Sequence, residues 1–192
     1  IIGAKITEVC ANLVTVLPIR KKPKVPVETF LDNRQDIEYE ERKINTEDYG
    51  SVMFKMDNGV NGVFCASEVS PGRGCCLNFE LDGSKASLYW NQEKSDRFWM
   101  GVRGGDNHEI VRDPNYMDAN ARQYATLAMG HPEGWNDAMK NNVFSFYRFI
   151  ADHKKINCDE CDFATFKDGY YQVKLTEAIL ESNETRRWVK IV

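Results

Sequence analysis

The amino-acid sequence predicts an α+β fold: an open-faced, mostly antiparallel, six- to seven-stranded sheet with helices packed on one face. Three observations carry the prediction. Asp57-Asn58-Gly59 stands between two β-rich runs, residues 49–56 and 60–69, and Asn-Gly favours a tight hairpin because both residues accept positive φ. Cys75, Leu77, Phe79 and Leu81 alternate strictly with Cys76, Asn78, Glu80 and Asp82, the period of a strand with one dry face. From Trp135 the period lengthens, and Trp135, Met139, Val143, Phe146 and Ile150 fall at three- and four-residue steps, the stripe of an amphipathic helix. Strands first and helices later put the helices in a layer against the sheet.

The elements follow in order. Residues 5–17, rich in Val, Thr, Ile and Leu, read as a long strand, and residues 18–46 as an unusually long, Pro-punctuated loop. Within that loop Arg20-Lys21-Lys22-Pro23-Lys24 reads as a solvated basic run, offset by Glu38, Glu40 and Glu41. After Pro71-Gly72-Arg73-Gly74 comes the alternating strand, and Asp82-Gly83-Ser84 turns the chain into residues 85–90. Two short strands are expected at 97–103 and 108–112, either side of Gly104-Gly105. A second helix, about 167–183, presents Val173, Ile179 and Leu180, and 187–192 closes the fold as a strand. Val52, Phe54, Met56 and Val63 leave apolar side chains on both sides of the hairpin, so the uncovered face is expected to meet a partner.

Composition narrows the function classes. A chain of 192 residues suits one large domain, here expected over its whole length. A formal charge of -4 argues against nucleic acid, and no apolar run approaches the roughly 20 residues of a membrane span. Cys10, Cys65 and Cys75 lie in strand-like runs where free cysteine acts as a small hydrophobe, which suits a reduced, cytoplasmic protein. Cys158-Asp159-Glu160-Cys161 has the spacing of half a zinc site, but only Cys75-Cys76 could complete it, so no metal is expected. The chain opens Ile1-Ile2-Gly3 without an initiator methionine, which leads us to expect the back half of a larger protein. That opening is also shaped like an activated serine-protease N-terminus, but no nucleophilic Ser in a Gly-rich loop accompanies it. Gly72-Arg73-Gly74 and the glycines at 101–105 do not make G-x-G-x-x-G between strand and helix, so no residue of the chain is expected to bind a dinucleotide.

Two stretches carry candidate chemistry. Gly130-His131-Pro132-Glu133-Gly134-Trp135 packs rigid turn residues and ionisable groups onto a helix start. Gly130 and Pro132 fix the His131 backbone and Glu133 stands where it could orient the ring, as a proton-transfer or hydroxyl-binding group requires. The same residues also suit a helix-entry loop with a satisfied histidine. Trp90-Asn91-Gln92-Glu93 offers an aromatic platform followed by amide and carboxylate, equipment for holding a polyol, and equally suits a core Trp before a polar turn. His108 falls in a short strand, and His153 at a helix end, where it complements the dipole.

Taken together, Lys5-Ile6-Thr7-Glu8-Val9, Asp57-Asn58-Gly59-Val60-Asn61-Gly62, Leu81-Asp82-Gly83-Ser84-Lys85-Ala86, Tyr89-Trp90-Asn91-Gln92-Glu93, residues 130–138, Phe166-Lys167-Asp168-Gly169 and Glu177-Ala178-Ile179-Leu180-Glu181-Ser182 resemble the C-terminal domain of the Gfo/Idh/MocA oxidoreductases, the group of glucose-fructose oxidoreductase and inositol dehydrogenase. The resemblance covers essentially the whole chain. It implies the C-terminal, substrate-pocket and oligomerisation half of an NAD- or NADP-dependent dehydrogenase or reductase acting on a sugar, inositol or related polyol. Its implied partners are its own N-terminal Rossmann domain, which binds the cofactor, and further copies of itself in a homodimer or homotetramer through the open sheet face. Carried over by position, the resemblance makes Trp90, Gln92, Glu93, His131 and Glu133 pocket candidates, with Arg122 and Tyr124 just upstream. The family's Glu-Lys-Pro lysine and its Asp-x-x-x-His pair precede the strand at Lys5 and are missing here, so no catalytic residue is expected and the polypeptide alone should be inert. The alternative is a non-catalytic interaction module that dimerises through its open face.

Overall fold

The computed structural model describes residues 2–27, 37–155 and 161–191. In chain order the strands are β1 (Ile6–Val14), β2 (Ile19–Pro23), β3 (Tyr39–Lys43), β4 (Tyr49–Met56), β5 (Asn61–Ser67), β6 (Asn78–Asp82), β7 (Ala86–Asn91), β8 (Arg97–Val102) and β9 (His108–Val111). They are followed by α1 (Ala119–Arg122), α2 (Trp135–Ala151), α3 (Phe166–Thr185) and β10 (Val189–Lys190), and a 3₁₀ turn at Gln92–Lys94 joins β7 to β8. The chain divides into two compact units, residues 1–71 with 166–192, and residues 72–165.

In the first unit a four-stranded sheet runs in the order β10-β1-β4-β5, each neighbour antiparallel. The β4–β5 hairpin forms at the Asn-Gly signal, with Gly59 at φ 85° and Asn58 Oδ1 accepting the Val60 N–H at 3.2 Å. Val9, Ala11, Val52 and Ala178 make its buried core, with Leu175 and Ile179 of α3 and Phe54 of β4 packed against it. Thus α3 covers one face. On the opposite face, cross-strand neighbours Met53 and Val63 stay 49% and 69% exposed, which leaves an apolar row uncovered. Because β10 pairs only with Glu8 and Val9, the N–H groups of Ala11 and Leu13 would be orphaned. The end of α3 replaces the missing strand: Ser182 Oγ accepts from Ala11 at 2.9 Å and Asn183 Oδ1 from Leu13 at 2.8 Å.

The second unit carries an antiparallel meander, β6-β7-β8-β9, followed by α1 and α2. Phe149 is the buried residue of α2, its ring set edge-on to Phe163. The stripe expected from the sequence, Trp135, Met139, Val143, Phe146 and Ile150, is exposed throughout, Trp135 at 69% and Val143 at 48%, and the buried Phe149 falls outside it.

Several sequence expectations change. The α+β, mostly antiparallel class stands, but the strands are hydrogen-bonded as two four-stranded sheets and a two-stranded ribbon rather than as one six- to seven-stranded sheet. That ribbon occupies the expected loop: the basic run is β2, and at one end it faces the two glutamates of β3, with Lys21 opposite Glu41 and Lys22–Glu40 at 3.5 Å, and Lys24–Glu38 at 2.8 Å just beyond, while at the other end Arg20 stands opposite Arg42 and turns to Asp48. Opposite charges directly across a ladder stabilise such a pair where apolar alternation is absent. The alternating strand begins only at Asn78, so Phe79 and Leu81 are half-buried while Cys75 and Leu77 are exposed before it. Cys65 is exposed as well. Cys158 lies outside the described residues, among which no cluster of His, Cys, Asp and Glu is arranged to hold a metal.

Candidate functional site

All seven pocket candidates belong to the second unit. Positive φ at Gly130, 83°, turns the chain immediately before His131, whose N–H donates to Ala128 O at 3.2 Å. Gly134 then opens α2, and the Asp137 carboxylate accepts its N–H at 3.0 Å, satisfying a donor that the helix start leaves free. That bond, with Lys140 beside it, holds the Asp137 carboxyl below its ordinary range. The His131 imidazole is thereby displayed, exposed, from a backbone fixed on both sides.

The carboxylate of Glu133 does not orient that ring. It turns inward and accepts from Thr126 N at 2.8 Å, Thr126 Oγ1 at 2.5 Å and Leu127 N at 3.2 Å, and it pairs with Arg112 Nη1 at 2.8 Å. Burial alone would raise its pKa, but the Thr126 hydroxyl and N–H, the Arg112 charge and the Leu127 N–H outweigh burial and hold the carboxyl below the usual carboxylate range. With its lone pairs so used, Glu133 acts on the turn itself.

Trp90 lies half-buried on β7, its ring 5.6 Å from that of Phe79, so the platform is partly spent on packing. Its Nε1–H donates to Ser95 O at 3.4 Å, and Ser95 Oγ donates to Glu133 O at 2.5 Å. A hydrogen-bonded path therefore runs from Trp90 to the turn that bears His131. Gln92 and Glu93 sit on the 3₁₀ turn, which the Asn91 side chain caps by accepting from Glu93 N at 2.9 Å. Gln92 Nε2 donates to Cys75 O at 3.0 Å, and Glu93 faces Arg73 at 3.9 Å. Arg122 donates to Ala125 O at 2.7 Å and closes the end of α1. Tyr124 lines a different place, a cavity of about 220 Å³ whose wall includes Phe144, Arg148 and Phe149.

The sequence reading missed Arg112, which holds Glu133. Its partners are mostly backbone carbonyls, which leave no mark in a sequence; the one signal was an Arg at the end of a predicted strand. The arrangement as a whole offers an exposed imidazole on a fixed turn, which Ser95 links to a half-buried aromatic. Gly72 and Gly104, at φ 73° and 75°, lie in turns that lead from strand to strand, and no glycine cradle joins a strand to a helix among the described residues.

Comparison with known proteins places these features. The family described as "Oxidoreductase family, C-terminal alpha/beta domain" matches residues 18–191. An uncharacterized oxidoreductase of Bacillus subtilis, YfiI, is 27% identical over 124 residues, which are 65% of this chain and 31% of that protein. A levoglucosan dehydrogenase solved in complex with NADH and levoglucosan shares the fold at a TM-score of 0.76 and 19% identity, over 97% of this chain and 45% of its own. An inositol dehydrogenase homolog from Azotobacter vinelandii, complexed with NADH and myo-inositol, does so at a TM-score of 0.72 and 18% identity, over 98% and 45%. The chain thus spans less than half the length of these relatives. By its match to the C-terminal α/β domain over nearly all its residues, this chain belongs to the Gfo/Idh/MocA oxidoreductase family.

Proposed function

We propose that this chain forms the substrate pocket and the oligomer contact of an NAD- or NADP-dependent oxidoreductase acting on a sugar, inositol or related polyol. The observation that carries the reading is the fold likeness to a levoglucosan dehydrogenase and an inositol dehydrogenase homolog, solved with NADH and with levoglucosan or myo-inositol, over nearly the whole of this chain but under half of theirs. In this reading a Rossmann domain outside these residues holds the nicotinamide, and Trp90, Gln92, Glu93, Arg122, Tyr124, His131 and Glu133 belong to the wall facing the substrate. His131 is the group best suited to a substrate hydroxyl, since its ring is exposed and its backbone fixed. Glu133 contributes by holding the turn. The uncovered Met53–Val63 row is the surface through which copies associate, as a cytoplasmic homodimer or homotetramer.

The test compares the 192-residue chain with the longer protein that carries it. Levoglucosan, myo-inositol and glucose are offered with NAD+ or NADP+, and reduced nicotinamide is followed at 340 nm. Turnover by the longer protein and none by the chain alone is the expected result. His131→Ala should lower kcat/KM for the polyol by about tenfold to a thousandfold and leave nicotinamide affinity unchanged. A longer protein that neither binds nor turns over a nicotinamide cofactor would overturn the reading and favour a non-catalytic module. Sedimentation of the chain at tens of micromolar should show a dimer or tetramer, and a monomer would remove the oligomer contact.

A further inference from the structure

Arg112 follows β9 directly, and its N–H donates to Asp96 O at 2.6 Å. Its guanidinium reaches the 127–133 turn at four points: Nη1 donates to Leu127 O at 3.1 Å and pairs with Glu133 at 2.8 Å, and Nη2 donates to Ala128 O at 3.3 Å and His131 O at 2.7 Å. The two charged side chains are only 14% and 10% exposed. Inside the turn, around a glycine at positive φ, the backbone contributes His131 N–H to Ala128 O, and Glu133 adds the Leu127 N–H at one end and, through its carbonyl, Ser95 Oγ at the other. A planar fork with several donors at set angles can hold three carbonyls and a carboxylate together, whereas a lysine ammonium is a point charge that could answer Glu133 but not the spread of carbonyls. Even the guanidinium Nε lies buried without a partner among the described residues, a cost consistent with the group being placed for its two outer nitrogens.

We propose that Arg112 is a positioning residue of the oxidoreductase site: it clamps the 127–133 turn so that the His131 imidazole meets a substrate hydroxyl from one fixed backbone. The inference rests on the reading that His131 faces the substrate. Arg112 touches no reacting atom and acts through the turn. A misplacement on the scale of 1 Å is enough to cost about a hundredfold in turnover, so a clamp of this kind controls rate without taking part in the chemistry.

The experiment uses Arg112→Lys, which keeps the charge and loses the fork, and Arg112→Ala with and without added guanidinium. In the longer protein, Arg112→Lys should lower kcat/KM for myo-inositol or levoglucosan by about ten- to a hundredfold, with the nicotinamide KM within about twofold. Millimolar guanidinium should restore part of the activity of Arg112→Ala. In the 192-residue chain, amide hydrogen exchange of residues 127–133 should accelerate by about tenfold or more while β6 to β9 keep their protection. Unchanged exchange in the turn, unchanged kcat/KM, or loss of protection throughout the meander each overturns the proposal, the last by making Arg112 a folding determinant. If the unmodified longer protein turns over no polyol, the functional reading fails, and the role of Arg112 in the reaction fails with it. The exchange comparison then still decides whether it clamps the turn.

Discussion

The two units are held together by different chemistry. In residues 1–71 with 166–192, the core beneath α3 is apolar, Val9, Ala11, Val52 and Ala178, its polar groups are satisfied one by one through Ser182 and Asn183, and the one buried charge among the described residues, Asp48, lies at the end of the sheet on Val16 N, Leu17 N and Arg20. Among the described residues of 72–165, Ala125 and Phe149 are buried with Pro114, and the turn bearing His131 is held by charge: Glu133 on Arg112, with Asp96, Arg97 and Glu109 in a fork alongside. An apolar core is indifferent to direction and to pH, which suits a scaffold. A node of ions and carbonyls has direction and sets one backbone shape, which suits a site, but it fails as a whole when one partner is removed or protonated.

The largest effect should come from the apolar side. Val52→Ala removes two methyl-sized groups from a side chain that is 1% exposed, at a cost of about 2–3 kcal/mol once the cavity is included. Urea unfolding should show that loss, and hydrogen exchange should locate it in β1, β4 and β5. A cost below about 1 kcal/mol would mean that the sheet collapses onto the space and that its core is not tightly packed.

Ser182→Ala should rank next. It strands the Ala11 N–H, which lies beyond the reach of β10, and takes a 2.6 Å donor from Arg187 O. Leaving such a buried group unpaired costs about 1–2 kcal/mol, again read from urea unfolding. A neutral outcome would show that water enters there, and the first unit would be less dry than its core suggests.

The same division governs what could be read from the sequence. The Asn-Gly hairpin, the α2 and α3 periodicities and the last strand are local patterns, and they were legible because a turn or a stripe is set by neighbours in the chain. Ribbon β2–β3 was not, because its signal is a charge match between residues far apart rather than alternation of apolar side chains. Ser182 and Arg112 were missed for one reason: each is satisfied by backbone groups 171 and 15–19 residues away, and backbone groups are identical in every sequence. The Gly130 to Trp135 run was legible as a site-like turn, but the direction of Glu133, inward to Arg112 instead of toward His131, is a tertiary outcome.

Acid should separate the charge-held turn from the apolar core without any mutation. Glu133 has its pKa lowered in the folded chain, so its contribution is fully present above the unfolded value of about 4.3 and is lost as pH falls through the lower folded value. Exchange at 127–133, corrected for the intrinsic pH dependence of amide exchange, should therefore rise below about pH 4, while the Val9–Val52 core of β1 and β4 keeps its protection and the first unit loosens only at Val16 and Leu17, whose N–H groups hold the Asp48 carboxyl below its ordinary range. Glu133→Gln should remove that pH step. A turn that opens in step with the whole chain in both proteins would end the distinction between the apolar core and the charge-held turn.

The smallest effect tests whether charge alone, without burial, suffices. Lys22 and Glu40 oppose each other across the ribbon at 3.5 Å, but their side chains are 53% and 52% exposed, against 14% and 10% for Arg112 and Glu133. Water and salt screen the exposed pair, and two long side chains must be ordered to form it, so a double-mutant cycle with Lys22→Ala and Glu40→Ala should give a coupling of about 0.3–0.5 kcal/mol. That coupling should shrink further at high salt. The buried pair resists screening because its environment is poor in water and its carboxylate and the two outer guanidinium nitrogens are bound at the turn. If the ribbon pair coupled by more than about 1 kcal/mol, burial would cease to explain why the chain places Arg112, rather than any surface arginine, at the turn beneath His131.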